Sequence, residues 1–121
     1  TTVDLLDADG VFLGGLILPG ARLMHGALAG NTAQLDLAEG ACVAMPRNTA
    51  DAITSGCLLA QAGAIERMFE QFAGQTGARC VLAGGGADPL AGLLRIPLLR
   101  VDNLVLRGLA VIARAPSPQA T

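Results

Sequence analysis

Val81-Leu82-Ala83-Gly84-Gly85-Gly86-Ala87-Asp88 is the stretch on which the reading of this chain turns. An apolar run from Cys80 to Ala83 ends in three consecutive glycines. Asp88 and Pro89 follow, then Leu90, Leu93 and Leu94. A short apolar run bounded by glycine suits a buried strand. Asp-Pro just ahead of a periodic apolar run is a helix-start signal. The expected unit is therefore buried strand, glycine turn, helix N-terminus. Glycine lets the backbone take positive φ and approach a ligand closely, and a helix start offers N–H groups and a positive dipole end. Such a corner, at the C-terminal end of a strand in an α/β sheet, suits a nucleotide; it also suits a tight turn with no ligand. A third Rossmann glycine would fall where Pro89 stands, and no Gly-Lys-Ser/Thr follows, so neither that fingerprint nor a Walker loop is present.

Downstream, Leu98 to Val101 reads as a further strand, and Asp102-Asn103 as the cap of a last helix, Leu104 to Arg114. Pro116-Ser117-Pro118 ends regular structure, which makes 1–115 one subdomain and 116–121 a disordered tail. Upstream, Asn48 with Asp51 three residues on starts a helix running to about Gln75. Ile53, Cys57, Ala64, Met68 and Phe72 trace its apolar stripe; Ala52, Gly56, Ala60 and Gly63 trace a small-residue stripe beside it, and both are expected in the core. At the beginning of the chain, Thr2–Leu6 and Val11–Leu18 read as two strands of a hairpin turning at Asp9-Gly10. Gly14-Gly15 inside the second strand suggests a bulge or a close backbone approach. Pro19-Gly20 opens a helix with Ala21, Met24, Ala27 and Leu28 on one side, ended by Gly30-Asn31. The stretch from Asn31 to Pro46 is irregular, with Leu35 and Leu37 alternating as in a short strand.

Composition narrows the function classes. Hydrophobic residues make up 52% of the 121 and charged residues only 15%, against about 25% charged in a typical domain. Surface covered by another domain or subunit is the expectation. A net charge of −2 with no basic run leaves no electrostatic footprint for nucleic acid or an anionic membrane. No apolar stretch approaches the ~20 residues of a membrane span. All eight basic residues are arginine, which excludes lysine Schiff-base chemistry and a lysine phosphate clamp. Cys42, Cys57 and Cys80 lack metal spacing and read as small buried apolar residues of a reducing cytoplasm. The lone His25 reads as solvent-facing or locally bonded, without a metal.

No Ser-His-Asp, Cys-His or paired-carboxylate constellation assembles from these residues. Asp4, Asp7 and Asp9 alternate along a strand and turn, as in a solvated hairpin or a cation site. Thr49 stands in a helix's first turn, where a hydroxyl and N–H groups converge; it can bind a polar substrate or simply cap.

Taken in order, Thr2-Val3-Asp4, Gly14-Gly15-Leu16-Ile17-Leu18-Pro19-Gly20, Arg47-Asn48-Thr49 with Ala52-Ile53 and Ser55-Gly56, Ala83-Gly84-Gly85-Gly86, and Asn103-Leu104-Val105-Leu106 with Gly108-Leu109 resemble the C-terminal half of a type III pantothenate kinase. The resemblance runs from Thr1 to about Arg114. It implies an α/β fold of ribonuclease-H-like type, that of sugar kinases, heat-shock ATPases and actin, with a hairpin and parallel strand–helix units. It implies an ATP-dependent kinase that phosphorylates pantothenate in the first step of coenzyme A biosynthesis, cytoplasmic and homodimeric, using magnesium and a monovalent cation, potassium or ammonium. The ATP-binding residues it implies are Thr2, Gly84, Gly85 and Gly86. Those for pantothenate are Thr49 with Gly15, Ile17 and Pro19, the last three across a dimer interface. The family's first phosphate loop, catalytic aspartate, cation-binding aspartate and phosphate-contacting threonine match nothing in this chain, which meets the Asp-x-Gly-Thr-Ala-x-Thr motif only at its last two positions, Thr1 and Thr2. The resemblance thus implies no catalytic and no metal-binding residue here, and an N-terminal half of the same protein as partner. Two other classes stay open: a non-catalytic accessory factor for virulence-gene transcription, and a lobe that only binds nucleotide or partners.

Overall fold

The computed structural model describes residues 1–31 and 39–115. The short strand expected around Leu35 and Leu37 and the tail expected over 116–121 lie outside the described residues. The elements run β1 (Thr2–Leu6), β2 (Phe12–Ile17), α1 (Ala21–Asn31), α2 (Thr49–Phe69) continued by a 3-10 turn (Glu70–Phe72), β3 (Cys80–Leu82), α3 (Ala87–Ala91), β4 (Leu98–Arg100) and α4 (Leu104–Arg114). This is a mixed α/β arrangement, with an antiparallel hairpin first and a parallel strand–helix–strand unit after it.

The hairpin turns where the sequence indicates. Asp7 folds it: its Oδ1 accepts from the N–H of Asp9 at 2.9 Å and of Val11 at 2.8 Å. Gly10 closes the loop at φ +80°, in the left-handed region that glycine enters without steric cost. β1 and β2 pair from Thr2–Ile17 to Leu6–Phe12, and the register slips between Leu5 and Leu6 so that Leu13 is an extra residue on β2. That is the expected bulge. Gly15 also meets the expectation of close approach, since a Cβ there would collide with the carbonyl oxygen of Val3.

α2 joins the hairpin to the rest. Asn48 caps it, its side chain accepting from the N–H of Asp51 at 2.9 Å. Asp51 returns the bond by accepting from Asn48 Nδ2 at 2.7 Å. One side of α2 carries Ala62 and Ile65 into a core with Leu82 of β3, Ala87 and Leu90 of α3, and Leu94. Val3 of β1, Leu58 and Leu98 of β4 pack against the same cluster. Glu66 ties the loop after α3 to this side, its Oε1 accepting from the N–H of Arg95 at 2.8 Å.

Several details depart from the sequence reading. α2 tightens into its 3-10 turn at Glu70 and the chain leaves it at Ala73, short of Gln75, because Gly74 takes φ +83°. The small-residue stripe is not core: Ala52, Gly56, Ala60 and Gly63 are all exposed, while Ser55, Cys57, Gln61, Ala62 and Ile65 are buried. β3 is buried on one face only, Val81 being 46% exposed, because α2 and α3 pack on the face that carries Leu82. β3 and β4 form a parallel two-stranded sheet that does not join β1–β2. α3 starts at Ala87 with Gly86 before it, so Asp88 lies inside the first turn, where it pairs with Arg100. Asn103 makes no side-chain cap; it sits at φ +54°, and only its carbonyl engages, accepting from the N–H of Arg107 at 2.9 Å. α4 beyond it is exposed throughout.

The core around Ile65, 6% exposed, is small, so a cavity there has little to collapse onto it. Ile65→Ala is expected to destabilise the protein by about 2–4 kcal/mol, read as a lowered midpoint in urea unfolding.

Candidate functional site

A groove of about 920 Å³ runs between α1 and the first two turns of α2. One wall is Pro19, Leu23, Met24, Ala27 and Leu28; the other is Thr49, Ala52, Ile53, Gly56 and Cys57; Pro46, Arg47 and Asn48 form the rim. The walls are apolar and the polar groups gather at one end, the arrangement expected of a small-molecule site. That end is the start of α2. Asn48 occupies the N–H of Asp51 with its side chain and that of Ala52 with its carbonyl, so the N–H groups of Thr49 and Ala50 are the ones left for a ligand or water. Arg47 makes no ion pair among the described residues. The rim thus offers a guanidinium, a hydroxyl and two backbone donors to an anionic or polar head group.

The rim is fixed by a set of side-chain-to-backbone bonds that the sequence did not suggest. The segment before it lies along α2: the N–H of Gly40 donates to Thr54 Oγ1 at 3.1 Å, that of Ala41 to Asp51 Oδ1 at 2.7 Å, and that of Val43 to Ser55 Oγ at 3.0 Å. Ser55 is 1% exposed, so its hydroxyl is a fully enclosed partner. Gly40 lies so close to the backbone of Ala50 and Asp51 that a Cβ there would overlap it. Serine, threonine and aspartate at 51, 54 and 55 are the signal that could have found this clamp.

Of the residues expected at a substrate site, the fold brings Thr49 and Pro19 into one groove of a single chain, whereas the resemblance placed Pro19 across a dimer interface. Gly15 and Ile17 lie outside it on β2, and Ile17 is 90% exposed. Thr2, expected with the nucleotide, pairs with Ile17 on the hairpin. Gly84, Gly85 and Gly86 form the turn after β3, with Gly84 at φ +99° and no atom within 4 Å of a Cβ built on any of the three. The strand–glycine–helix corner is therefore present and open, but the helix is only five residues long. Among the described residues, no three His, Cys, Asp or Glu side chains gather as a metal site needs.

The cysteines separate by environment. Cys57, in the groove wall, and Cys80 have thiols pushed up by burial, so both are protonated at neutral pH and neither is a nucleophile. Cys42 is exposed, contrary to the expectation that all three are buried, because the clamp holds the backbone on either side of it and leaves its side chain outward. His25 is likewise not solvent-facing. α1 turns Ala21, Met24 and His25 inward, and His25 Nε2 is buried with no hydrogen-bond partner among the described residues.

A sequence model of the type III pantothenate kinase family matches residues 1–71. Over 114 residues the chain is 68% identical to a type III pantothenate kinase of Aromatoleum aromaticum, covering 94% of this chain and 47% of that protein. The corresponding protein of an Azoarcus species is 61% identical over 115 residues, 95% of this chain and 44% of its own. That of Herminiimonas arsenicoxydans is 54% identical over 119 residues, 93% and 46%. The chain spans about half the length of the curated relatives it matches.

Two measurements check this geometry. Gly40→Ala must lift the clamped segment off α2 and is expected to cost about 1–3 kcal/mol, seen as a lower melting temperature. Alkylation with iodoacetamide at neutral pH is expected to label Cys42 first, with Cys57 and Cys80 slow until the protein is unfolded; mass spectrometry of the peptides reads the order.

Proposed function

The chain belongs to the type III pantothenate kinase family, and from that premise we propose that it forms the pantothenate-binding and adenosine-binding part of an ATP-dependent kinase acting in the first step of coenzyme A biosynthesis. The observation that carries the reading is the groove in which Thr49 and Pro19 face each other across apolar walls, with Arg47 at its rim. Pantothenate is a small acid with a branched aliphatic segment and hydroxyl groups. Its carboxylate suits Arg47 and the N–H groups at the start of α2; its methyl groups suit Leu23, Met24 and Ile53. Gly84, Gly85 and Gly86 are assigned to the adenosine of ATP, and Thr2 to the same nucleotide site.

The remainder of the reading concerns what joins this chain. The fold is assigned to the ribonuclease-H-like type, with residues 1–115 as one subdomain of it. β1 and β3 rest on one core over α2, yet their sheets do not meet, which supports a strand from the N-terminal half of the protein lying between them. That half is assigned the catalytic carboxylate, which takes the hydroxyl proton of pantothenate as the phosphoryl group transfers. The described residues offer no cluster that fits magnesium or the monovalent cation, and both are assigned with the triphosphate to the other half. Backbone N–H groups there, with the bound cations, are assigned the charge stabilisation that phosphoryl transfer needs. The exposed Phe12, Leu13 and Ile17 of β2 support a homodimer that covers the Gly14–Gly20 side and brings Gly15 and Ile17 to the partner's pantothenate. No described helix is long and apolar enough to cross a membrane; the assigned compartment is the cytoplasm, where coenzyme A is made.

A coupled assay of the full-length protein with pantothenate and ATP tests the reading directly. Pantothenate-dependent ADP release is the expected result; its absence sinks the kinase assignment in favour of a non-catalytic role. In the same protein Thr49→Ala should raise the pantothenate KM about two- to tenfold, the loss of one hydrogen bond to a neutral group, and leave the ATP KM unchanged. Residues 1–121 by themselves should bind ATP weakly or not at all, and micromolar affinity by calorimetry would contradict the division of labour between the halves.

A further inference from the structure

We infer that Gln61 is the positioning residue that sets the width of the groove, an inference that rests on the pantothenate reading of that groove. Gln61 is 0% exposed and lies in α2 one turn beyond Cys57. Its Nε2 donates to the carbonyl oxygen of Pro19 at 2.6 Å and stands 3.6 Å from Met24 Sδ. Pro19 and Met24 both belong to the wall opposite Thr49. One carboxamide therefore reaches from the substrate-bearing helix to the turn between β2 and α1 and holds that turn in place.

The other half of the same carboxamide shows what the residue is for. Gln61 Oε1 is buried and has no donor among the described residues. Turning the amide over would set two acceptors, Oε1 and the Pro19 carbonyl, against each other, so the orientation is determined. An enclosed oxygen without a donor is unfavourable, and a methionine of similar length would fill the space without it. Stability gives no reason for glutamine here. Pro19 is itself at the surface, and removing the bond and the orphan together costs folding little. What an apolar side chain cannot do is hold the Pro19 turn at a fixed distance from α2.

The test uses the full-length kinase and two variants. Gln61→Met is expected to raise the pantothenate KM about five- to tenfold, as loss of one aligned hydrogen bond allows, with the ATP KM unchanged and the melting temperature close to wild type. Gln61→Glu gives a second arm. A carboxyl at this enclosed position has its pKa raised; protonated it donates to Pro19 as the amide does, and ionised it cannot. Its pantothenate KM should lie near wild type at acid pH and climb as the pH rises through that raised pKa, while the wild-type KM shows no such climb. Pantothenate KM unchanged in both variants, or pantothenate and ATP KM rising together, would overturn the role of Gln61 while leaving the kinase reading intact. Wild-type protein that does not phosphorylate pantothenate would remove that reading and this inference with it.

Discussion

Everything in this chain is arranged by the need of one helix to be buried on two sides. α2 carries Ala62 and Ile65 toward the β3–α3–β4 unit and Cys57 and Gln61 toward α1. The first side is held by apolar burial, roughly 25 cal/mol for each Å² removed from water. The second is held by polar bonds made one at a time, from Gln61 to Pro19 and from Asp51, Thr54 and Ser55 to the segment before the cap. Burial is tolerant of small shifts, because apolar contact has no direction. Hydrogen bonds are not, because they weaken steeply away from their preferred geometry. The groove sits on the directional side of α2, where its width and rim are specified most tightly.

The parts of the fold that were legible in the sequence are those whose cause is local. Asp7 and Gly10 make the hairpin turn with their own side chain and φ angle. Asn48 and Asp51 make the start of α2 with each other. The paired glycines of β2 announced both the bulge and the approach of Gly15 to Val3. Thr49 was legible as a candidate from its place in a helix's first turn, Pro19 only through the resemblance of its motif, and nothing local shows that residues thirty apart line one groove.

The parts that were not legible depend on a distant or absent neighbour. Apolar periodicity says that Val81, the α4 residues and the small stripe of α2 suit burial; it does not say by what. Val105 is 76% exposed and Ile112 71%, so these faces keep the pattern of buried surface without the cover. The low charged fraction is consistent with the proposed partner, since charge on such faces would have to be desolvated on docking. The clamp on α2 failed to show for the opposite reason. Gly40, Ala41 and Val43 contribute backbone groups, and backbone groups leave no mark on a hydropathy pattern. Gln61 stood in plain view between Cys57 and Ile65, a polar residue on an inward face, and its meaning needed the carbonyl of Pro19, forty-two positions away.

The two proposed binding regions differ in how firmly they are held, and this bears on how a kinase of this build would work. The pantothenate groove is lined by two helices tied through enclosed partners, with Ser55 and Gln61 almost wholly out of water. The glycine turn is held by less, the N–H of Ala87 donating to the carbonyl oxygen of Gly84 at 3.1 Å. Gly84, Gly85 and Gly86 touch nothing at the position of a Cβ, and the pair beside them, Asp88 with Arg100, has its carboxylate largely in solvent. An exposed pair of this kind contributes about 0–1 kcal/mol. In the proposed reading the acid would be received by a preformed site, which limits the ordering cost of binding. The nucleotide would be received at the open glycine turn, with its phosphate contacts assigned to the other half. ATP binding on this chain would then depend on the other half, whereas the shape of the groove is already set within α1, α2 and the segment clamped to them.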